Sequence, residues 1–302
     1  EGIIKVNAEP VVVRETPSTA TLDAQQSLGL LSAQKGMQTA IEKAANVGCG
    51  WVAIKNSSHF GIASAHTDLA LENDMIGLAM TNASPLVAPA GSIDAMLGTN
   101  PICFAIPAGE EEPVVADLAT TVVANGKLEI AGRKGENIPH GWAQDVAGNA
   151  SDDPHVLQQG GTLLPLGSDY QRSRHKGYAL SSIVDIMSGI LPGANFGPWV
   201  PPFVPFLDQS QEKVGEGIGH FVGAWRVDAF RDKQEFKSAV DQWIRTMRNA
   251  NPENEDTRVK VPGDPERQTM AERKKAGIPI NDKVYQDLLA IQERFGVDLL
   301  EQ

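Results

Sequence analysis

Cysteine is scarce in this chain. Two stand in 302 residues, Cys49 and Cys103, with no CxxC spacing and no histidine-rich neighbourhood, which excludes a disulfide framework and a zinc site. Such thiols fit a reducing cytoplasm. Basic residues are in deficit, 26 Lys and Arg against 38 Asp and Glu for a net charge of −12. That balance argues against nucleic-acid and anionic-membrane partners and favours plain solubility. No apolar run approaches the roughly 20 residues of a membrane span, and nothing reads as a signal peptide. Walker A, HExxH, GxSxG and EF-hand patterns are missing, so no metal is expected. The nearest approach to a dinucleotide fingerprint, Gly215-Glu216-Gly217-Ile218-Gly219, fails on context. Its glycines precede a strand and lack the third spacing, whereas the fingerprint needs them between a strand and a helix N-terminus.

What is present is an ordinary globular composition, 41% hydrophobic and 21% charged, in a chain long enough for one large core or two modest ones. Pro10 to Val13 opens in strand fashion, and the spacing of Met37, Ile41, Ala44 and Ala45 predicts a helix from Leu30 to Val47. From Gly50 to Ala108 strand and helix patterns alternate. Trp51–Ile54, Ile76–Met80 and Ile102–Ile106 read as strands, with a helix from Ile62 to Asn73, and this alternation favours α/β architecture. Residues 109–175 read as loop-heavy around Val114–Asp117. Gly177–Leu191 reads as a helix with Ala179, Ile183, Ile186 and Ile190 on one apolar face. The segment Gly193–Phe206, with four prolines, is too proline-rich for regular structure and is expected to wrap over something. A strand at Gly219–Trp225, a helix from Lys233 to Asn249 and a charged helical C-terminus complete the chain.

Chemistry centres on Asn56-Ser57-Ser58-His59-Phe60-Gly61, where a strand ends and a helix begins, the place where α/β proteins hold ligands. His59 is suited there to move a proton near neutral pH, although a single turn histidine is commonly structural. Asp117, at the end of Val114-Val115-Ala116, either caps a helix or faces a ligand. Arg174-His175-Lys176-Gly177 stands before an apolar helix, where cations and free N–H groups could hold a phosphate or form a solvated surface. Thr99-Asn100-Pro101 supplies a hydroxyl and an amide in a turn.

The segments Asn56–Gly61, Thr81-Asn82-Ala83-Ser84-Pro85, Leu97-Gly98-Thr99-Asn100-Pro101, Asp117-Leu118-Ala119-Thr120, Ile138-Pro139-His140-Gly141-Trp142, Leu164-Pro165-Leu166-Gly167 and His175-Lys176-Gly177-Tyr178, in this order, resemble the type-2 malate/L-lactate dehydrogenase family. The resemblance spans nearly the whole chain. It implies a nicotinamide site, for NAD or NADP, on a mixed sheet unlike the Rossmann fold, with a smaller helical domain formed by the chain ends. The implied division is 49–234 for the cofactor domain and 1–48 with 235–302 for the helical one.

By the same resemblance His59 is the proton-transfer residue and Thr99 lines the nicotinamide pocket. Ala83, Asp117, Leu118, Ala119, Lys176 and Arg273 are implied as cofactor contacts. His66, His140, His155 and His220 have no such match and read as structural or exposed. The implied reaction is hydride transfer between a small 2-hydroxy acid and the nicotinamide, in a cytoplasmic homodimer. Rival readings are a cyclic-imine reductase of the same family and a non-catalytic cofactor-binding paralogue. The resemblance also implies an N-terminal helical segment carrying Ser-His-Gly and a carboxylate-binding Arg. This sequence starts where that segment would end, which predicts impaired turnover for the 302-residue chain.

Overall fold

The computed structural model describes residues 3–208 and 212–298, so the outermost residues of the expected chain-end unit lie outside the described ones. The protein is a mixed α/β structure built on one seven-stranded sheet. Strands β1 (Val11–Glu15), β2 (Thr19–Asp23), β3 (Cys49–Ser57), β4 (Met75–Thr81), β5 (Ile102–Ile106) and β6 (Val114–Leu118) precede a three-stranded patch of β7 (Ala143–Gln144), β8 (Ala150–Ser151) and β9 (Thr162–Leu163). Strand β10 (Ile218–Arg226) then returns to the middle of the large sheet, whose order is β1-β2-β3-β10-β4-β5-β6. β2 and β3 run parallel and the other neighbours antiparallel.

Side chains alternate across the pleat, so the run Trp51–Ile54 serves two cores at once. Val52 and Ile54 point to one face, where they meet Ala33, Met37, Ala40 and Ala44 of helix α1 (Gly29–Val47). Trp51 and Ala53 point to the other, where Leu78, Met80, Phe221 and Val184 gather. Each of the larger side chains contributes about 1.5–3 kcal/mol by burial. Helix α1 ends at Gly48 in the left-handed region, φ 94°, a conformation that glycine adopts without strain.

Further helices are α2 (Ser64–Leu71), α3 (Asn125–Lys134), α4 (Arg174–Asp185), α5 (Lys233–Arg248), α6 (Asp264–Ala276) and α7 (Asp282–Phe295). Helix α3 falls in the region read as loop-heavy. It is short, carries two glycines and buries only Leu128 and Ala131, so its periodicity is faint. The chain-end residues divide between settings: residues 11–47 supply β1, β2 and α1 to the sheet. Helix α5 instead packs Ile244 against Ala108, Val114 and Val261, and its Asp241 carboxylate accepts the N–H groups of Gly109, Glu110 and Glu111.

Helix α4 carries the expected apolar face on its outer side. Ala179, Ile183, Ile186 and Ile190 do share a face, but it looks outward, with the three isoleucines about half exposed. The buried face is Gly177, Ser181, Val184 and Asp185, continued through a π-helical turn at Ile186–Ile190 by Ser188 and Gly189. Close approach explains the inversion. A Cβ on Gly189 would meet Asn82 Nδ2 at 2.8 Å, and one on Gly219 would run into the Ser188 carbonyl. At Gly189 and Gly219 the approach leaves no room for a side chain.

Candidate active site

The turn after β3 is fixed from four sides. A bulge between β3 and β10 puts Asn56 at φ 57°, and such bulges re-aim the side chains that follow. Beyond it, the Ser58 hydroxyl accepts the Gly29 N–H at the start of α1, 2.9 Å. The Phe60 carbonyl accepts from Nε2 of the buried His66, 2.8 Å. The Phe60 ring is itself buried between His66 and His220, with centroids at 4.9 Å from each. Gly61 closes the turn at φ 81°.

His59 stands on this frame with its ring partly open to solvent. Gly61 N–H donates to its Nδ1 at 3.1 Å, which puts the proton of the neutral ring on Nε2. On its other side Phe203 meets the ring edge-on at 4.5 Å. Burial lowers the His59 pKa below the ordinary 6.5. The Gly61 bond, made to the unprotonated nitrogen, acts in the same direction.

The remaining predicted residues fall in four places. Asp117 caps a helix: its Oδ2 accepts from Ser64 N–H at 2.8 Å, tying the exposed end of β6, with Leu118 and Ala119, to the first turn of α2 beyond the His59 loop. Ala83 and Thr99 are stitched together by Asn100, whose Oδ1 accepts Ala83 N–H and whose Nδ2 donates to the Ser181 carbonyl and hydroxyl. The Thr99 carbonyl in turn accepts from Thr120. Lys176 is exposed in the first turn of α4, five residues before Ser181. Arg273 is set apart on α6, a helix with no buried residue, lining a groove with Pro265, Thr269, Met270 and Ile278.

Residue patterns gave no warning of several groups that the fold brings in. Phe203 arrives on the proline-rich segment, which does wrap as expected. Its N–H donates to the Ser84 hydroxyl, and Gly197 N–H donates to the Asp185 carboxylate, both at 2.9 Å. Asp185 is buried, and desolvation pushes its pKa up to about 6. The proline run itself signals a strap, but no spacing rule says what a strap touches.

A nicotinamide dinucleotide asks for cations and free N–H groups at its phosphates. The start of α4 offers both: Arg172 and Lys176 are exposed there, and Nε–H of Arg174 is buried without a hydrogen-bond partner. The donor set fits such a group.

The malate/L-lactate dehydrogenase family matches residues 1–289. The chain belongs to that family. Malate dehydrogenase of Pyrococcus horikoshii is 40% identical over 303 residues, which is 99% of this chain and 82% of the relative. Malate/(S)-sulfolactate dehydrogenase of Methanothermus fervidus is 40% identical over 298 residues, with the same shares of each chain. Among solved structures, malate dehydrogenase from Entamoeba histolytica overlays with a TM-score of 0.90 at 34% identity, covering 99% of this chain and 83% of that one. Membership of a dehydrogenase family makes the protein an oxidoreductase that works with a nicotinamide cofactor on a small hydroxy or oxo acid. It also accounts for the missing glycine fingerprint. The sheet of this family member is mixed, and its central strand β10 is antiparallel to both neighbours, so no strand–glycine–helix crossover of the Rossmann kind is formed there.

Proposed function

We propose that the protein interconverts a small 2-hydroxy acid of the malate, lactate or sulfolactate type and its 2-oxo acid, with NAD or NADP, and that His59 transfers the proton. The observation that carries this reading is the His59 turn. A partly solvent-open imidazole with a lowered pKa is held on a rigid loop by Gly61, Phe60 and Ser58, an arrangement suited to a general acid/base. A bound nicotinamide supplies the hydride chemistry. The protein's part is orientation and proton handling. In reduction the ring, protonated on both nitrogens, gives one proton to the oxygen that becomes a hydroxyl and returns to its neutral form. In oxidation it receives the hydroxyl proton, the ring then carries hydrogen on both nitrogens, and the Gly61 bond is released.

The cations at the start of α4, with Lys176 foremost, are assigned to the cofactor phosphates. Thr99 and Ala83 are assigned to the nicotinamide side. A homodimer is supported by the outward apolar face of Ile183, Ile186, Ile190 and Leu191, since such faces are seldom left in water. Two free thiols fit a cytoplasmic setting.

His59→Asn tests the assignment. Turnover should fall by about 100-fold or more while cofactor affinity, read by nucleotide fluorescence, is kept. In the unmodified enzyme, kcat/KM for reduction should fall, and for oxidation rise, as pH climbs through a midpoint below 6.5. Unchanged turnover in the variant, across a panel of 2-oxo acids and cyclic imines with NADH and NADPH, refutes it.

A further inference from the structure

Behind the His59 turn lies a second histidine that the proposed reaction leaves without a role. His220 is in the central strand β10 and is fully buried. Both of its ring nitrogens are bonded to hydroxyls at 2.7 Å, Nδ1 to Thr81 on β4 and Nε2 to Ser57 at the end of β3. The directions of these bonds follow from their neighbours. The Thr81 hydroxyl lies 2.9 Å from the Gly219 carbonyl, to which it donates, so it accepts from Nδ1–H. Nε2 then accepts from Ser57, whose oxygen sits 2.6 Å from the Ser32 hydroxyl of α1, and that hydroxyl also reaches the Gly29 carbonyl at 3.1 Å. A single neutral tautomer therefore satisfies a directed chain running from β3 through β10 to β4.

The ring also stacks on Phe60 at 4.9 Å and 17° between planes. The two residues that His220 grips, Ser57 and Phe60, lie on either side of His59 in the chain. The titratable groups facing His220 are His66 and His59. Burial drives its own pKa down to about 3, which keeps a second cation out from behind the proton-transfer residue. A buried polar network of this kind is costly compared with an apolar filling of the same volume unless every member is satisfied. Here every member is satisfied, and the network ends on the turn.

We propose that His220 is a positioning residue for His59, fixing the Ser57–Phe60 turn through its bond to Ser57 and its stack on Phe60 so that the His59 ring is held at one place and depth. The proposal rests on the reading of His59 as the proton-transfer residue. Its test therefore follows the His59 ring itself as well as turnover.

The variants are His220→Phe, which keeps the stack and loses both bonds, Ser57→Ala, which removes one bond and leaves His220 packed, His220→Gln, which restores an amide toward Ser57, and His59→Asn. In folded His220→Phe and Ser57→Ala, kcat should fall about 10- to 100-fold, the scale of a misplacement near 1 Å, while KM and cofactor Kd stay within roughly threefold. The His59 titration, followed by NMR, should move up toward 6.5 as the loosened ring gains water. His220→Gln should recover part of the rate. The double variant His220→Phe with Ser57→Ala should be no slower than the slower of the two singles, because His220 and Ser57 act as one unit. A folded His220→Phe or Ser57→Ala with unchanged kcat and unchanged His59 titration overturns the proposal. If His220→Phe does not fold, Ser57→Ala decides alone. Full turnover in His59→Asn defeats the underlying assignment instead, and the NMR titration still reports whether His220 places the ring.

Discussion

Gly29→Ala puts the rigidity of the His59 turn to a direct test, because two physical effects predict opposite signs. Gly29 opens α1, and in an unobstructed helix the change from Gly to Ala stabilises by as much as about 1 kcal/mol. Here the backbone of the turn lies against it. An added Cβ would fall inside contact distance of the Ser58 and His59 carbonyl oxygens and 2.6 Å from the His59 carbonyl carbon. Those are main-chain atoms and cannot rotate away. Restoring an ordinary contact near 3.4 Å requires the helix and the turn to part by roughly 1 Å, at a cost of about 1–3 kcal/mol for overpacking. That parting also stretches the Gly29 N–H to Ser58 hydroxyl bond, now 2.9 Å. The expected result is a melting temperature lower by about 2–8 °C and a kcat reduced toward 100-fold by displacement of His59, with cofactor affinity kept. Thermal melts by circular dichroism and steady-state reduction of a 2-oxo acid measure both. A variant that melts higher than the parent with unchanged kcat would refute the close approach and, with it, the claim that α1 holds the turn.

Two further outcomes follow from the same description. Lys176→Ala should weaken NAD(P)H binding about tenfold at low salt and less at high salt, since the contact is exposed and screened; equal affinity in fluorescence titrations at low salt would return Lys176 to an ordinary surface cation. For Asp185 the folded pKa is raised from 3.8 to about 6, so the folded state holds its proton more tightly than the unfolded chain: the burial penalty is absent below about pH 4, grows between pH 4 and 6, and stays constant above. Asp185→Asn removes that dependence, so the melting temperature of the variant relative to the parent should rise between pH 4 and pH 7 by an amount equivalent to roughly 3 kcal/mol, and a flat difference over that range contradicts it.

Strands were legible where composition and period agreed. Trp51–Ile54, Ile76–Met80, Ile102–Ile106 and Gly219–Trp225 are each a compact apolar run bounded by turn formers, and each became part of a strand, with β3 extending further at both ends. Helix α1 was legible for the same reason, its Met37 and Ala44 falling on the buried face. The turn that carries His59 was legible as a strand end, and a capping role for Asp117 was open from its place after Val114-Val115-Ala116. What sequence withheld were partners across the fold. Asp117 caps α2, a helix that starts 53 residues earlier, and no local pattern couples the two.

Helix α4 shows why the rest was hidden. Hydrophobic periodicity locates a face and is silent on which side the protein lies. Usually the apolar side is inward because burial there is favourable and polar groups on that side would go unpaired. On α4 the inward polar groups Ser181 and Asp185 are paired. The carbonyl and hydroxyl of Ser181 accept from Asn100, and Asp185 accepts from Gly197. Small and hydrogen-bonding residues on the inner side let the helix sit close to the loops at Asn82 and Asn100, which suits the proposed placing of the nicotinamide beside Ala83 and Thr99. The isoleucines displaced to the outside are then the cost of that close approach, and burying them against a second copy of the chain would recover it. In this reading the inverted helix and the proposed homodimer have one cause.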